Sequence, residues 1–267
     1  MKLFYRKFGD GPPLIILHGM YGSSDNWVSI ARNLIDYYTV YLPDQRNHGQ
    51  SPHSNTHDYD SMRDDLSELI LDLKLKKIFL AGHSMGGKTA IAFALKWPEM
   101  ITGLLIADIS PFINDTTNIL YYYQHLAILR TILSIDPSSV RSRGEAESLL
   151  SENISDKKIR GFILKNLERN AGNTFTWKLN APSLYNNLGK IMEGIDVTEG
   201  YVQPITGFPV IFLRGKNSDY LPPSDIKNIQ KIFPASEFAE IEDAGHWIHA
   251  DRPDEVIKNL KKLRGDN

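Results

Sequence analysis

Cysteine is absent from all 267 residues. That excludes a disulfide scaffold, a cysteine-ligated zinc or iron–sulfur centre, and a thiol nucleophile. Neither sign of charge prevails, since 30 Lys+Arg stand against 32 Asp+Glu, so the chain lacks the basic field that holds a nucleic-acid backbone. Long hydrophobic runs are missing as well. The apolar stretch at 14–17 is far short of the ~20 residues that span a bilayer. Gly9-Asp10-Gly11-Pro12-Pro13 interrupts the N-terminus where a signal peptide would carry its apolar segment. What is present is 42% hydrophobic residues, ample for a packed core at this length. The expectation is a cytoplasmic globular protein with no membrane span and no nucleic-acid partner. Oligomeric state has no signature in these features.

Short apolar runs ending in turn residues alternate with amphipathic stretches, which predicts an α/β fold. Strands are expected at 3–8, 14–18, 39–43, 78–81, 104–108, 210–214 and 238–241. Helical periodicity places Met62, Leu66, Leu69, Ile70 and Leu73 on one face, with Arg63, Asp64, Asp65 and Glu68 opposite. Further helices are expected at 27–35, 88–97, 225–233 and 255–263. From 111 to 207 the alternation stops, and the sequence reads as helical or irregular with no convincing buried strand. This pattern predicts a core formed by residues 1–110 and 208–267, carrying a helical cap (lid) over 111–207.

The stretch Gly82-His83-Ser84-Met85-Gly86-Gly87-Lys88-Thr89 satisfies two motifs at once. As G-x-S-x-G it is a nucleophile elbow between strand and helix. As G-x-x-x-x-G-K-[ST] it is a formally complete phosphate loop. A serine nucleophile needs a base, an acid to orient that base, and donors for the oxyanion. His246, in Asp243-Ala244-Gly245-His246-Trp247 after the last expected strand, supplies the base. Asp108, ending the strand after the elbow, and Asp219, following the next sheet strand, are both candidates for the acid. The backbone N–H groups of Met20, after His18-Gly19, and of Met85 can form the oxyanion hole. The order Ser, Asp, His is that of the α/β-hydrolase arrangement. An NTPase reading leaves His18-Gly19 and Gly245-His246 without a role, so it is the remote alternative, and Lys88 and Thr89 are expected to be first-turn helix residues. Tyr21, His83, Phe112, Trp177 and Trp247 are the candidate substrate-lining side chains, and Asp44 is expected to hold Arg46 and neighbouring loop amides. His48, His53, His57 and His249 show no metal-ligand spacing with carboxylates, so no metal or cofactor is expected.

Taken together, these segments resemble the α/β-hydrolase superfamily nearly end to end. His18-Gly19 with Ser23 and Trp27, the loop Asp44-Gln45-Arg46-Asn47-His48-Gly49-Gln50-Ser51, and Gly245-His246-Trp247 with Pro253 each match a family block. The forms H-S-M-G-G-K at 83–88, D-x-R-N-H-G at 44–49 and D-I-S-P at 108–111 are similar to the bacterial YbfF-type esterases. That branch cleaves short acyl esters and in some members acyl-CoA thioesters. The resemblance implies an α/β-hydrolase fold with a mostly parallel, eight-stranded-type sheet, and it places the acid at Asp108. The chain departs from the wider superfamily where G-x-x-D reads Gly215-Lys216-Asn217-Ser218, with Asp219 one place late. The expected activity is a cofactor-independent serine hydrolase of small to medium acyl esters or thioesters, working through an acyl-enzyme. Carbon–carbon bond hydrolysis, a quinone-pathway lyase step on the same triad, and a slow-turnover ligand receptor remain as alternatives.

Overall fold

The computed structural model describes residues 1–112, 115–195 and 203–265, with the backbone alone at 115–118. Seven strands form one twisted sheet: β1 (Tyr5–Phe8), β2 (Pro13–Leu17), β3 (Thr39–Pro43), β4 (Ile78–His83), β5 (Ile101–Ala107), and two later strands at Val210–Gly215 and Ser236–Ile241. Between β5 and those later strands, a separate antiparallel pair is made by β6 (Leu167–Arg169) and β7 (Phe175–Trp177), so the later strands are β8 and β9. The order across the sheet is β1-β3-β2-β4-β5-β8-β9. Only β1 runs antiparallel, against β3; every other neighbouring pair in this sheet is parallel. The sheet thus has seven strands among the described residues rather than eight.

A sheet covered on both faces needs apolar residues at every position of its central strands. In β4, Ile78 and Leu80 face one core while Phe79 and Ala81 face the other. The same alternation recurs in β2, β5 and β8, where Ile15, Leu104 and Phe212 lie on the first side and Ile16, Leu105 and Leu213 on the second. The second core is covered by α1 (Val28–Arg32) and the C-terminal helix Pro253–Arg264, through Ile30, Val256, Leu260 and Leu263. The first is covered by α2 (Tyr59–Asp72), α3 (Met85–Lys96) and the helix Ile226–Ile232. Asp58 starts α2 by accepting from the Ser61 N–H, four residues before the expected apolar face begins at Met62. Asp65, expected on that helix's solvent face, is buried and pairs with Arg46 at 2.6 and 2.9 Å.

After β5 the chain leaves the sheet for α4 (Asp115–Ser134), α5 (Arg143–Ser151) and α6 (Lys157–Leu164), then the β6–β7 ribbon, then α7 (Ala181–Asn186) and α8 (Leu188–Met192). The remaining helices are α9 (Ile226–Ile232), α10 (Ile248–Asp251) and α11 (Pro253–Arg264). The ribbon corrects the expectation of a strandless span, because three-residue strands are too short for alternation to register in sequence. The excursion closes where the Ile195 N–H donates to the Pro111 carbonyl at 2.8 Å. Residues 196–202 of the expected cap lie outside the described residues.

The excursion is fastened to the rest of the molecule by polar contacts at Asn47, whose φ is 67°. Its amide donates to the Ser183 hydroxyl at 3.1 Å and accepts from Asn180 Nδ2 at 2.9 Å, while its carbonyl accepts from the Asn180 N–H at 2.9 Å. Among the described residues, no helix is long and apolar enough to cross a membrane.

Candidate active site

In a parallel sheet the loops after the strands gather at the carboxyl edge, where open α/β sheets bind ligands. Ser84 follows β4, Asp108 follows β5, His18 follows β2, and His246 lies in the loop after β9. The backbone at Ser84 is at φ 53°, ψ −122°, a conformation costing on the order of 1–3 kcal/mol that packing must hold. Glycines make that turn possible. A Cβ on Gly86 would stand 2.5 Å from the carbonyl oxygens of Leu17 and His18, and one on Gly87 would stand 2.6 Å from Ile109 Cγ2. Both are closer than side chains pack.

Ser84 Oγ lies 3.0 Å from His246 Nε2, and His246 Nδ1 lies 2.8 Å from Asp108 Oδ2. With Nδ1–H donating to the carboxylate, Nε2 is left to accept the serine hydroxyl. Asp108 is fully buried and has left-handed φ of 50°. Its Oδ1 accepts from the Gly215 N–H at 2.9 Å, and its Oδ2 also accepts from the Ser218 hydroxyl. Asp219 instead borders a small cavity beside Ser84. His83 donates from Nε2 to the His246 carbonyl at 2.7 Å, tying the loop that carries His246 to the end of β4.

Met85 is the first residue of α3, so its N–H has no carbonyl one turn back within the helix. Met20 borders the same space from the opposite loop. Beneath that loop His18 is buried; its Nε2 accepts from the Gln45 N–H at 2.9 Å, and its Nδ1–H donates to the Gly19 carbonyl at 2.8 Å. Burial lowers the His18 pKa, with Asp44 opposing that shift, so the ring is a neutral strut. Asp44 holds the amides of Ser24 at 2.6 Å and Gln50 at 2.8 Å. Arg46, expected on Asp44, is held by Asp65 instead.

Of the candidate lining residues, Tyr21, His83 and Trp247 border a large cavity at Ser84, and Phe112 borders the small one. Trp177 borders neither; it sits in β7, opposite Leu167. Lys88, the phosphate-loop lysine of the remote alternative, is buried and donates to the Glu193 carbonyl at 2.6 Å. Burial brings its pKa down to about 8. Its ammonium lies over the Tyr59 ring and is not offered to a phosphate. Among the described residues, no group of three or more His, Asp or Glu could hold a metal ion.

Several residues outside the candidate site set also converge here. Tyr220 stacks on His246 with ring centroids 3.7 Å apart, and Tyr121 stacks on Tyr220 at 4.0 Å. His125 of α4 bridges the hydroxyls of Tyr21 at 3.2 Å and Tyr220 at 3.4 Å, and burial brings its pKa down to about 4. Asn166 donates to the Tyr21 carbonyl at 2.8 Å. Two had a sequence trace: Tyr121 lies in the aromatic run Tyr121-Tyr122-Tyr123, and Ser218 fills the aspartate place of G-x-x-D.

A seven-stranded sheet with a serine elbow and a loop histidine at its carboxyl edge defines the α/β hydrolases. The model of the alpha/beta hydrolase fold family matches residues 12–253. The chain belongs to that family, and it is a hydrolase of the esterase/lipase type. It is 37% identical over 257 residues to the sn-1-specific diacylglycerol lipase ABHD11 of Danio rerio, covering 94% of this chain and 78% of that one. The esterase YbfF of Escherichia coli is 28% identical over 255 residues, covering 95% and 93%. Among solved structures, a marine microorganism esterase superposes with a TM-score of 0.91 at 44% identity, covering 98% of this chain and 99% of that one.

Proposed function

We propose that the chain is a serine esterase that cleaves small to medium acyl esters or thioesters through an acyl-enzyme, with Ser84, His246 and Asp108 as its triad. The observation that carries this reading is the unbroken hydrogen-bonded chain from Ser84 Oγ through His246 to Asp108. Ser84 Oγ attacks the acyl carbonyl carbon while His246 Nε2 takes its proton. Asp108 holds the imidazole in the required tautomer and stabilises the imidazolium. The N–H groups of Met20 and Met85 receive the charge that develops on the carbonyl oxygen. His246 then returns the proton to the departing alkoxide or thiolate. Water, deprotonated by the same ring, releases the acid and restores Ser84. On this reading 1–110 and 208–267 form the catalytic core, and 111–207 form a cap whose residues close the substrate space. Phe112, Tyr21, His83 and Trp247 contact substrate, and the partner is a small molecule.

A fluorophosphonate probe tests the reading. Intact mass spectrometry should show a single adduct, mapped to Ser84 and absent from Ser84→Ala. That variant should lose turnover of p-nitrophenyl acetate by a factor on the order of 10⁴ or more. A folded protein that neither labels nor turns over would sink the proposal, and stoichiometric binding without turnover would indicate a receptor.

A further inference from the structure

Cleaving an ester produces two fragments, and the structure gives them unequal room. Two cavities meet at Ser84 and share Met20, Tyr121, His125 and Tyr220. The smaller encloses about 60 Å³ and is walled by Met85, Ile109, Phe112, Ile191 and Met192. The larger encloses about 450 Å³ and is walled by His246, Trp247, Phe162, Ile128, Ile154 and Ile159. Among the described residues, His246 lines the larger cavity and not the smaller.

We infer, building on the serine-esterase reading above, that the small cavity receives the acyl chain and that the large one is a subsite for a bulky, uncharged alcohol. The leaving oxygen must face the group that protonates it, His246 Nε2, so the alcohol departs into the cavity that His246 walls. With the alcohol on the His246 side, the smaller cavity beside Ser84, walled by Met85, is left for the acyl chain. The small cavity therefore suits a short acyl chain beyond the carbonyl. The large cavity admits a ring system with an alkyl arm.

Charge narrows the class further. Asp156 lines the large cavity while its Oδ1 caps α6, accepting from the N–H groups of Lys158 and Ile159. Gln124, Asn153 and Ser155 supply neutral polar groups. Among the described residues, no lysine or arginine lines this cavity, so a phosphate-bearing leaving group would meet a carboxylate with no cation to offset it. An uncharged aromatic alcohol finds a matching surface in Phe162 and Trp247, stacked at 5.2 Å and 18°.

Mirror esters test the assignment, because they move the same bulk across the scissile bond. Against ethyl acetate, 2-(2-naphthyl)ethyl acetate carries the ring on the alcohol and ethyl 3-(2-naphthyl)propanoate carries it on the acyl group. The first should gain about tenfold or more in kcat/KM from buried ring surface, and the second should fall below ethyl acetate. The reverse order overturns the assignment, and so do equal values for the two. Fluorophosphonate labelling of Ser84 in the same preparation separates that failure from failure of the esterase reading itself. Phe162→Ala should erase the alcohol preference while leaving acyl-length dependence unchanged. Met192→Ala should do the opposite, shifting the preferred acyl chain by one to two carbons (roughly the volume of the lost side-chain groups). For charge, S-acetyl-N-acetylcysteamine should be hydrolysed at least as efficiently as acetyl-CoA, and a tenfold preference for acetyl-CoA overturns the uncharged class.

Discussion

Ser218 stands where the wider family keeps an aspartate, yet its hydroxyl still serves the histidine, by donating to Asp108 Oδ2, the oxygen that His246 Nδ1 also contacts. Position 218 therefore lies within reach of the imidazole's supporting carboxylate. Asp108→Asn should lower kcat by a factor on the order of 10⁴, as loss of the tautomer-setting acid does in related triads. Asp219→Asn should leave it nearly unchanged, because Asp219 borders the small cavity instead. Adding Ser218→Asp to Asp108→Asn should restore about tenfold or more of the lost rate, read by steady-state turnover. If Asp219→Asn proves the damaging change, the acid has been misassigned. The elbow and the Gly-His block are legible in sequence because each is a local pattern of small residues around one reactive group. The two candidate acids are not separable that way, since each follows a sheet strand and only the three-dimensional path of its loop decides which carboxylate meets His246.

The strand-to-helix turn at Ser84 depends on how closely α3 approaches β2. Gly86→Ala would drive a Cβ to 2.5 Å from two backbone oxygens, of Leu17 and His18, and neither can swing away as a side-chain tip would. We expect a loss of about 1–3 kcal/mol from overpacking, seen as a lower thermal midpoint. Fluorophosphonate labelling should slow with it, because the Met85 amide shifts as the helix is pushed outward. Unchanged labelling at wild-type stability would show that the turn tolerates the methyl group. Elements with long apolar periodicity, such as α2 and the central strands, are readable from the sequence. The β6–β7 ribbon is not, and neither is the convergence of Tyr121, His125 and Tyr220 over His246. Those contacts join segments that are distant in the chain, and nothing in their local sequence marks the meeting point.

Across the whole molecule, histidine is used mostly as a neutral buried group. Burial lowers the pKa values of His18, His48, His57, His83, His125 and His249, to about 3 for His57 and His249 and about 4 for His125. In the unfolded chain each would take a proton near 6.5. Between that value and the lowered one the unfolded state binds more protons, so stability rises with pH through this window and is lost as pH falls below 6.5. A histidine held neutral well below its unfolded pKa adds a slope of at most about 1.4 kcal/mol per pH unit within that window. Thermal melts should show a steep decline between pH 6.5 and 4. In His57→Asn, which removes one of these groups, the decline should be shallower even though the melt at pH 7.5 is lower. An unchanged slope would remove His57 from the set.

The hydrogen bond from Ile195 to Pro111 has a further consequence, for inheritance. Residues 112–194 leave and rejoin the molecule through neighbouring backbone positions, so a foreign segment of any internal design that brings its two ends equally close could be spliced between them. Closing a longer segment between ends that already touch costs only about 0.6 kcal/mol for each doubling of its length. The strands that precede Ser84, Asp108 and His246 would keep their register through such an exchange. On the proposed reading, recombination would trade one substrate-facing cassette for another and pass on Ser84, Asp108 and His246 intact.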